Sequence, residues 1–201
     1  MAPRSETAKR QKKVAGVEED RLSALHEDIL LHILSFLPSR ELVQKTCLLA
    51  RSWRNRWKSV PALRVPEDVV FESAHAMKKF VNYLVLLRGP KPLVECEINF
   101  WHMDETFGYL DLWIRYALSC KVQVLRIISD VEYDLCPLPD MRLVSDKLTT
   151  VELCRVGPEE PLLDFSGCSA LQNLTMSYST LGVKNIVSFS QEAKHMLLYF
   201  L

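Results

Sequence analysis

Near the start of the chain, apolar residues recur at helical spacing. In "DRLSALHEDILLHILSFLP", residues 20–38, the positions Leu25, Ile29, Ile33, Phe36 and Leu37 line one face of an amphipathic helix. Leu30, Leu31 and Leu34 add apolar surface on a second side. The predicted helix, from about Glu27 to Phe36, therefore needs cover from two directions. Glu27 and Asp28 suit the positive N-terminal end of its dipole, and Pro38 helps to stop it. Ser39 can cap a second helix, with Leu42, Val43, Thr46, Cys47 and Leu49 or Ala50 behind it. A third helix is predicted around Trp53 and Trp57, one turn apart, with Arg51, Arg54, Arg56 and Lys58 between and around them.

From Phe71 to Arg88 the pattern predicts a longer helix with Met77, Phe80, Val81, Leu84 and Leu87 on one face, ended by Gly89 and Pro90. Another helix is predicted over 104–119, with Phe107, Leu110, Trp113 or Ile114, and Ala117 inward.

The period then changes. "VQVLRI" (122–127), "LTTVEL" (148–153) and "LQNLTM" (171–176) fit LxxLxL with apolar substitutes. "LVECEI" (93–98) fits upstream and "AKHMLL" (193–198) fits loosely downstream, so successive units start 29, 26, 23 and 22 residues apart. That spacing lies in the range of leucine-rich repeats. It predicts a short solenoid whose strands stack into a parallel sheet. The residues between and after the inward apolar positions would form one face: Glu95, Glu97 and Asn99; Val124, Arg126 and Ile128; Thr150, Glu152 and Cys154; Asn173, Thr175 and Ser177; and His195, Leu197 and Tyr199. Glu97, Arg126 and Glu152 would then be neighbours of alternating sign, with strands about 4.8 Å apart.

Composition narrows the function more than the fold. The 201 residues are 48% apolar and 25% charged, the balance of a globular chain. Lys+Arg and Asp+Glu both total 25, so no bulk field favours nucleic acid or a membrane surface. Local charge is uneven: Arg4, Lys9, Arg10, Lys12 and Lys13 precede Glu18, Glu19 and Asp20. Residues 1–19 read as a disordered tail, in which "KRQKK" (9–13) fits either a nuclear import signal or a solvated basic stretch. No apolar run reaches the roughly 18 residues of a membrane span, and the start lacks the apolar core of a secretory signal. Six cysteines (Cys47, Cys96, Cys120, Cys136, Cys154, Cys168) form no CxxC pair and read as reduced, mostly buried thiols. The expectation is a soluble intracellular protein, in nucleus or cytoplasm, without cofactor or metal.

Candidate chemistry is sparse. None of His26, His32, His75, His102 and His195 lies in a nucleophile or metal motif. Cys154 with His195 could form a thiol–imidazole pair, against the plainer reading of a strand thiol beside a surface histidine. No glycine-rich phosphate loop is present among the six glycines. "RSWRNRWK" (51–58) could grip phosphates, but Trp53 and Trp57 on one side fit inward packing with the cations in water.

The stretch "DRLSALHEDILLHILSFLPSRELVQKTCLLARSWRNRWKSVPALRV" resembles the F-box, in the version seen in plant F-box/leucine-rich-repeat proteins. The resemblance continues through "FVNYLVLLRG", "LWIRYALS" and "KLTTVELCRV" and covers roughly residues 20–199. It implies an α/β chain, a three-helix F-box followed by a short irregular leucine-rich-repeat solenoid with a parallel sheet. The expected organisation is a tail over 1–19, the F-box over 20–60, a connecting segment with one helix over 61–92, and repeats over 93–201.

The resemblance also implies a role without catalysis: the substrate-recognition subunit of an SKP–cullin–F-box ubiquitin ligase. The F-box would bind an SKP-type adaptor, and through it a cullin, while the repeats hold a substrate protein. Matched to the motif, the adaptor-facing positions are Leu25, His26, Ile29, Leu30, Ile33, Leu34, Leu37, Pro38, Leu42, Val43, Leu48 and Trp53. Leu25, Leu30, Ile33 and Leu34 are expected to make contact and Trp53 to pack. The substrate-face candidates are Glu95, Glu97, Arg126, Thr150, Glu152, Asn173 and Thr175. Two departures stand out. His26 replaces the usual proline after Leu25, which loosens entry to the first turn. The chain also stops on the apolar "HMLLYFL", as a shortened family member would, where a solenoid wants a polar cap. The other reading is a shortened repeat scaffold, or a degenerate F-box protein without ligase function.

Overall fold

The computed structural model describes residues 25–48, 51, 53–66, 69–101, 103–130, 136–138, 143–158, 163–177, 186–188 and 195–199. The basic tail predicted over 1–19 lies outside them. Helix α1 (Glu27–Leu34) ends two residues earlier than predicted, with Ser35 as its C-cap, and α2 (Ser39–Leu48) follows. Ser39 begins α2 instead of capping it, and its hydroxyl is spent elsewhere, as described below. Leu42 and Thr46 face inward, while Cys47, predicted to lie behind the helix, is exposed. Leu49 and Ala50 lie outside the described residues.

Among the described residues, the third α-helix expected of the N-terminal unit is not formed. Trp53 sits in a turn, and residues Arg56–Ser59 make one turn of 3-10 helix. The segment is too short for cooperative α-helix, and burial of both tryptophans decides its conformation. The cations stay with the rings: the Arg56 guanidinium lies 5.3 Å from the Trp53 ring and Lys58 Nζ lies 5.6 Å from that of Trp57.

Strand β1 (Ala62–Val65) comes next, within the segment expected to be a connector. Helix α3 (Ala74–Arg88) is capped by Ser73, whose hydroxyl accepts from the Ala76 N–H at 3.1 Å, and is closed by Gly89 at φ +68°. Met77, Val81 and Leu84 are buried, whereas Leu87 is exposed and Arg88 takes the inward position in its place. Strand β2 (Glu95–Phe100) leads to α4 (Met103–Ser119), which buries Leu110, Ala117 and both Trp113 and Ile114. The side chain of Phe107 lies outside the described part. The Trp113 indole N–H donates to Asn82 Oδ1 at 2.8 Å, joining α4 to α3.

The remaining chain is strand after strand: β3 (Val124–Ser129), β4 (Cys136–Leu138), β5 (Thr150–Cys154), β6 (Val156–Pro158), β7 (Leu163–Asp164), β8 (Asn173–Ser177), β9 (Ile186–Ser188) and β10 (His195–Tyr199). Six form one parallel sheet in the order β1-β2-β3-β5-β8-β10, so each turn of the chain adds the next strand. Two parallel pairs, β4 with β6 and β7 with β9, lie in the crossovers. Leu63, Cys96, Leu125, Val151 and Leu174 are in register, as are Val65, Ile98, Ile127, Leu153 and Met176. All ten are buried in one core with the inner faces of α3 and α4.

The five strands read from LxxLxL are present, and β1 is a sixth. Its sequence "VPALRV" (60–65) fits the same pattern, with Val60, Leu63 and Val65 buried. An edge strand leaves backbone donors unpaired. Here the Arg64 N–H is taken by the Ser39 hydroxyl at 2.9 Å, so α2 covers the edge.

Candidate interaction surfaces

Helix α1 divides its apolar residues between two directions. Leu30 and Leu34 are 1% and 8% exposed and, with Leu42, belong to the protein's own core. Ile29, Ile33 and Phe36 are 53%, 44% and 64% exposed, and Leu48 at the end of α2 is 87% exposed. Leu25, Leu31, Leu37 and Val43 are partly buried against the core, and Pro38 is half-buried. This corrects the expected contact set: Leu30, Leu34 and Leu42 are covered by this chain's own side chains and are not surface. Trp53 packs inward as expected. Phe36 was missing from that set, although its spacing from Ile29 and Ile33 put it on the same flank. His26 is the N-cap residue of α1 without a side-chain cap bond, and its Nδ1 lies 3.4 Å from an Asp28 carboxylate oxygen.

The second surface is the outer face of the sheet. One row across it runs Arg64, Glu97, Arg126, Glu152, Thr175, Leu197, and the next runs Ala62, Glu95, Val124, Thr150, Asn173, His195. The candidates Glu95, Glu97, Arg126, Thr150, Glu152, Asn173 and Thr175 therefore share one face, in the predicted register. Arg126 Nε donates to Glu152 at 3.0 Å, and its Nη1 pairs with Glu95, diagonally across the rows. Arg64 pairs with the same Glu95 and lies 3.5 Å from Glu97. Asn173 Nδ2 donates to Thr150 Oγ1 at 3.3 Å. Arg64 had no place in the expected site, because its strand was not read as a repeat. Asn99, expected on this face, is buried. The side chains of His195, Leu197 and Tyr199 lie outside the described part.

Electrostatics on this face are nearly balanced. Burial pushes the Glu97 carboxyl above its ordinary value, against the pull of Arg64 and Arg126. Reactive chemistry finds little support here. Burial raises the Cys154 thiol, which lowers its thiolate fraction. In register Cys154 aligns with Ser177 and Tyr199, whereas His195 aligns with Asn173 and Thr150. The two are two strands apart and offset by four residues, so the backbone does not bring them together. Among the described residues no three His, Cys, Asp or Glu side chains gather to hold a metal, and no helix is long and apolar enough to cross a membrane.

No family model matches the chain. Curated relatives do match. An FBD-associated F-box protein of Arabidopsis thaliana is 50% identical over 187 residues, covering 79% of this chain and 44% of the relative. A second FBD-associated F-box protein of the same plant is 32% identical over 152 residues, covering 73% of this chain and 34% of the relative. F-box/LRR-repeat protein 25 of A. thaliana is 25% identical over 186 residues, covering 79% and 68%. The chain spans less than half the length of the first two.

Proposed function

From its homology to the F-box/leucine-rich-repeat and FBD-associated F-box proteins of Arabidopsis thaliana, we propose that this chain is a non-catalytic, substrate-recognition subunit of an SKP–cullin–F-box ubiquitin ligase. The exposed Ile29 and Ile33 of α1, with Phe36 just beyond its end and Leu48 of α2, dock on an SKP-type adaptor. Leu25, His26, Leu37, Pro38 and Val43 border that contact. The outer face of the sheet, through Glu95, Glu97, Arg126, Thr150, Glu152, Asn173 and Thr175, holds a substrate protein. Function then follows from effective concentration: target lysines are held near the transferring enzyme, and no residue of this chain makes or breaks a bond.

The observation that carries the reading is the exposed α1 flank. Ile29 and Ile33 of α1, one turn apart, and Phe36 just beyond the helix end stay in water, while Leu30 and Leu34 of the same helix are buried, and such a patch marks an interaction site. Co-purification of the full chain with an SKP-type adaptor, beside Ile33→Asp, tests it. A charge at Ile33 is tolerated in the free protein but must be desolvated on docking. Capture by the native chain and loss in a folded Ile33→Asp variant support the proposal. No capture by the native chain overturns it, leaving a repeat scaffold without ligase function.

A further inference from the structure

Contact between the α1–α2 pair and the sheet runs chiefly through β1 and the 3-10 turn, and Arg64 stands at the centre of that contact. Its backbone N–H is bonded to Ser39, the first residue of α2. Its Nε donates to the carbonyl of Ser35, the C-cap of α1, at 3.0 Å. Its Nη2 donates to Glu95 on β2, and Nη1 faces Glu97 two residues further along the same strand. Glu95 also accepts from Arg126 on β3, which bonds Glu152 on β5. The Arg64 side chain thus ties the α1–α2 turn to β2, and the shared Glu95 links it through Arg126 to β3 and β5.

We propose that Arg64 is a positioning residue that fixes the α1–α2 pair at one angle to the outer face of the sheet. Burial of Leu30, Leu34 and Leu42 holds the helices down, but apolar contact is non-directional. A guanidinium offers its donors in a rigid planar fork. With Nε on the helical turn and both Nη groups on β2, rotation of the helices against the strands breaks one bond or another. The functional meaning rests on the adaptor-and-substrate reading: Arg64 sets where a bound substrate stands relative to the docked adaptor. A lysine ammonium has three donors on one nitrogen but no planar fork to spread between the helical turn and β2.

The test measures spin-label distances in the full chain. One label goes on Cys47, the exposed thiol of α2. The other goes on Gln123→Cys beside β3, in a background where Cys154→Ser removes the half-buried thiol. With Arg64 in place a single narrow distribution is expected. Arg64→Ala should broaden it while unfolding stays cooperative, and Arg64→Lys should broaden it too. A distribution as narrow in Arg64→Ala as in the native chain overturns the proposal, and so does full rescue by lysine, which would make charge alone sufficient. If Arg64→Ala does not fold, Glu95→Ala with Glu97→Ala is read by the same criterion, because it removes the acceptors of the Nη groups and keeps the bonds to Ser35 and Ser39. Adaptor capture is scored separately. A native chain that captures no adaptor removes the functional reading without touching the distances, and unchanged distances remove the positioning role without touching capture.

Discussion

Arg88, the last residue of α3, donates from Nη2 to the carbonyl of Val60 at 3.0 Å, joining the end of a repeat helix to the chain two residues before β1. The same guanidinium reaches the carbonyls of Lys91 at 2.6 Å and Pro92 at 2.9 Å, and the Tyr116 hydroxyl of α4 at 3.1 Å. Tyr116 in turn donates to the Gly89 carbonyl at 2.8 Å. Burial pushes that phenol up to about 12, so it stays a donor at neutral pH. Four segments therefore meet on one buried cation that is held by backbone dipoles.

Arg88→Met keeps most of the volume and strands the buried Val60 carbonyl away from water. An unsatisfied buried acceptor costs about 1–3 kcal/mol, so urea denaturation should show a loss of about 1–3 kcal/mol. Arg88→Lys should recover part of it, since one ammonium reaches fewer acceptors. A loss under about 0.5 kcal/mol, the scale of ordinary surface changes, would mean that the cluster does not hold the junction.

Glu97 gives a pH dependence whose sign is fixed by its environment. Burial raises its folded-state carboxyl above the ordinary 4.5. As pH rises through that interval the unfolded chain releases its proton first, so the stability contributed by protonated Glu97 is full below the ordinary value and lost through the folded one. Glu97→Gln should therefore be at least as stable as the native chain at pH 7, with the difference shrinking at acidic pH. A native chain clearly more stable than Glu97→Gln at pH 7 would show that the arginines outweigh burial.

The thiols offer a direct check on which positions are inside. Cys47 is exposed, whereas Cys96, Cys120, Cys136 and Cys168 are buried. Burial pushes the Cys96 thiol up to about 12 and that of Cys136 to about 11. A thiol reagent at neutral pH should modify Cys47 at once, Cys154 slowly, and the other four only on unfolding. Rapid loss of Cys96 in the native state would contradict the packing of β2 against the helices.

Two substitutions on α1 separate its core side from its open side. Leu30→Ala should cost about 2–5 kcal/mol, as a buried leucine does. Ile33→Ala should stay within about 0.5 kcal/mol, as an exposed side chain does. Thermal or urea unfolding of the full chain reads both. Similar costs at the two sites would overturn the division of this helix.

Much of the architecture was legible because its signals are local. Strand alternation placed Glu97, Arg126 and Glu152 in one row, since a period of two leaves a single register that buries every apolar partner. Which flank of α1 turns inward was not legible, because the helix is apolar on both and the choice depends on what packs against it. The edge strand was missed for a related reason. Val60, Leu63 and Val65 follow a tryptophan-rich stretch that already explained its own burial, and the repeat spacing pointed downstream. Arg88 was hidden by its type: a cation at a helix end reads as solvated, and only the meeting of the carbonyls of Val60, Lys91 and Pro92 with the Tyr116 hydroxyl makes a buried site for it.

The most direct test of the account is calorimetric titration of an SKP-type adaptor into the full native chain and into Ile33→Asp, at low and high salt. The account predicts saturable binding with a negative heat-capacity change, little salt dependence, and no binding by a folded Ile33→Asp variant. Absence of binding by the native chain, or equal binding by Ile33→Asp, would contradict it.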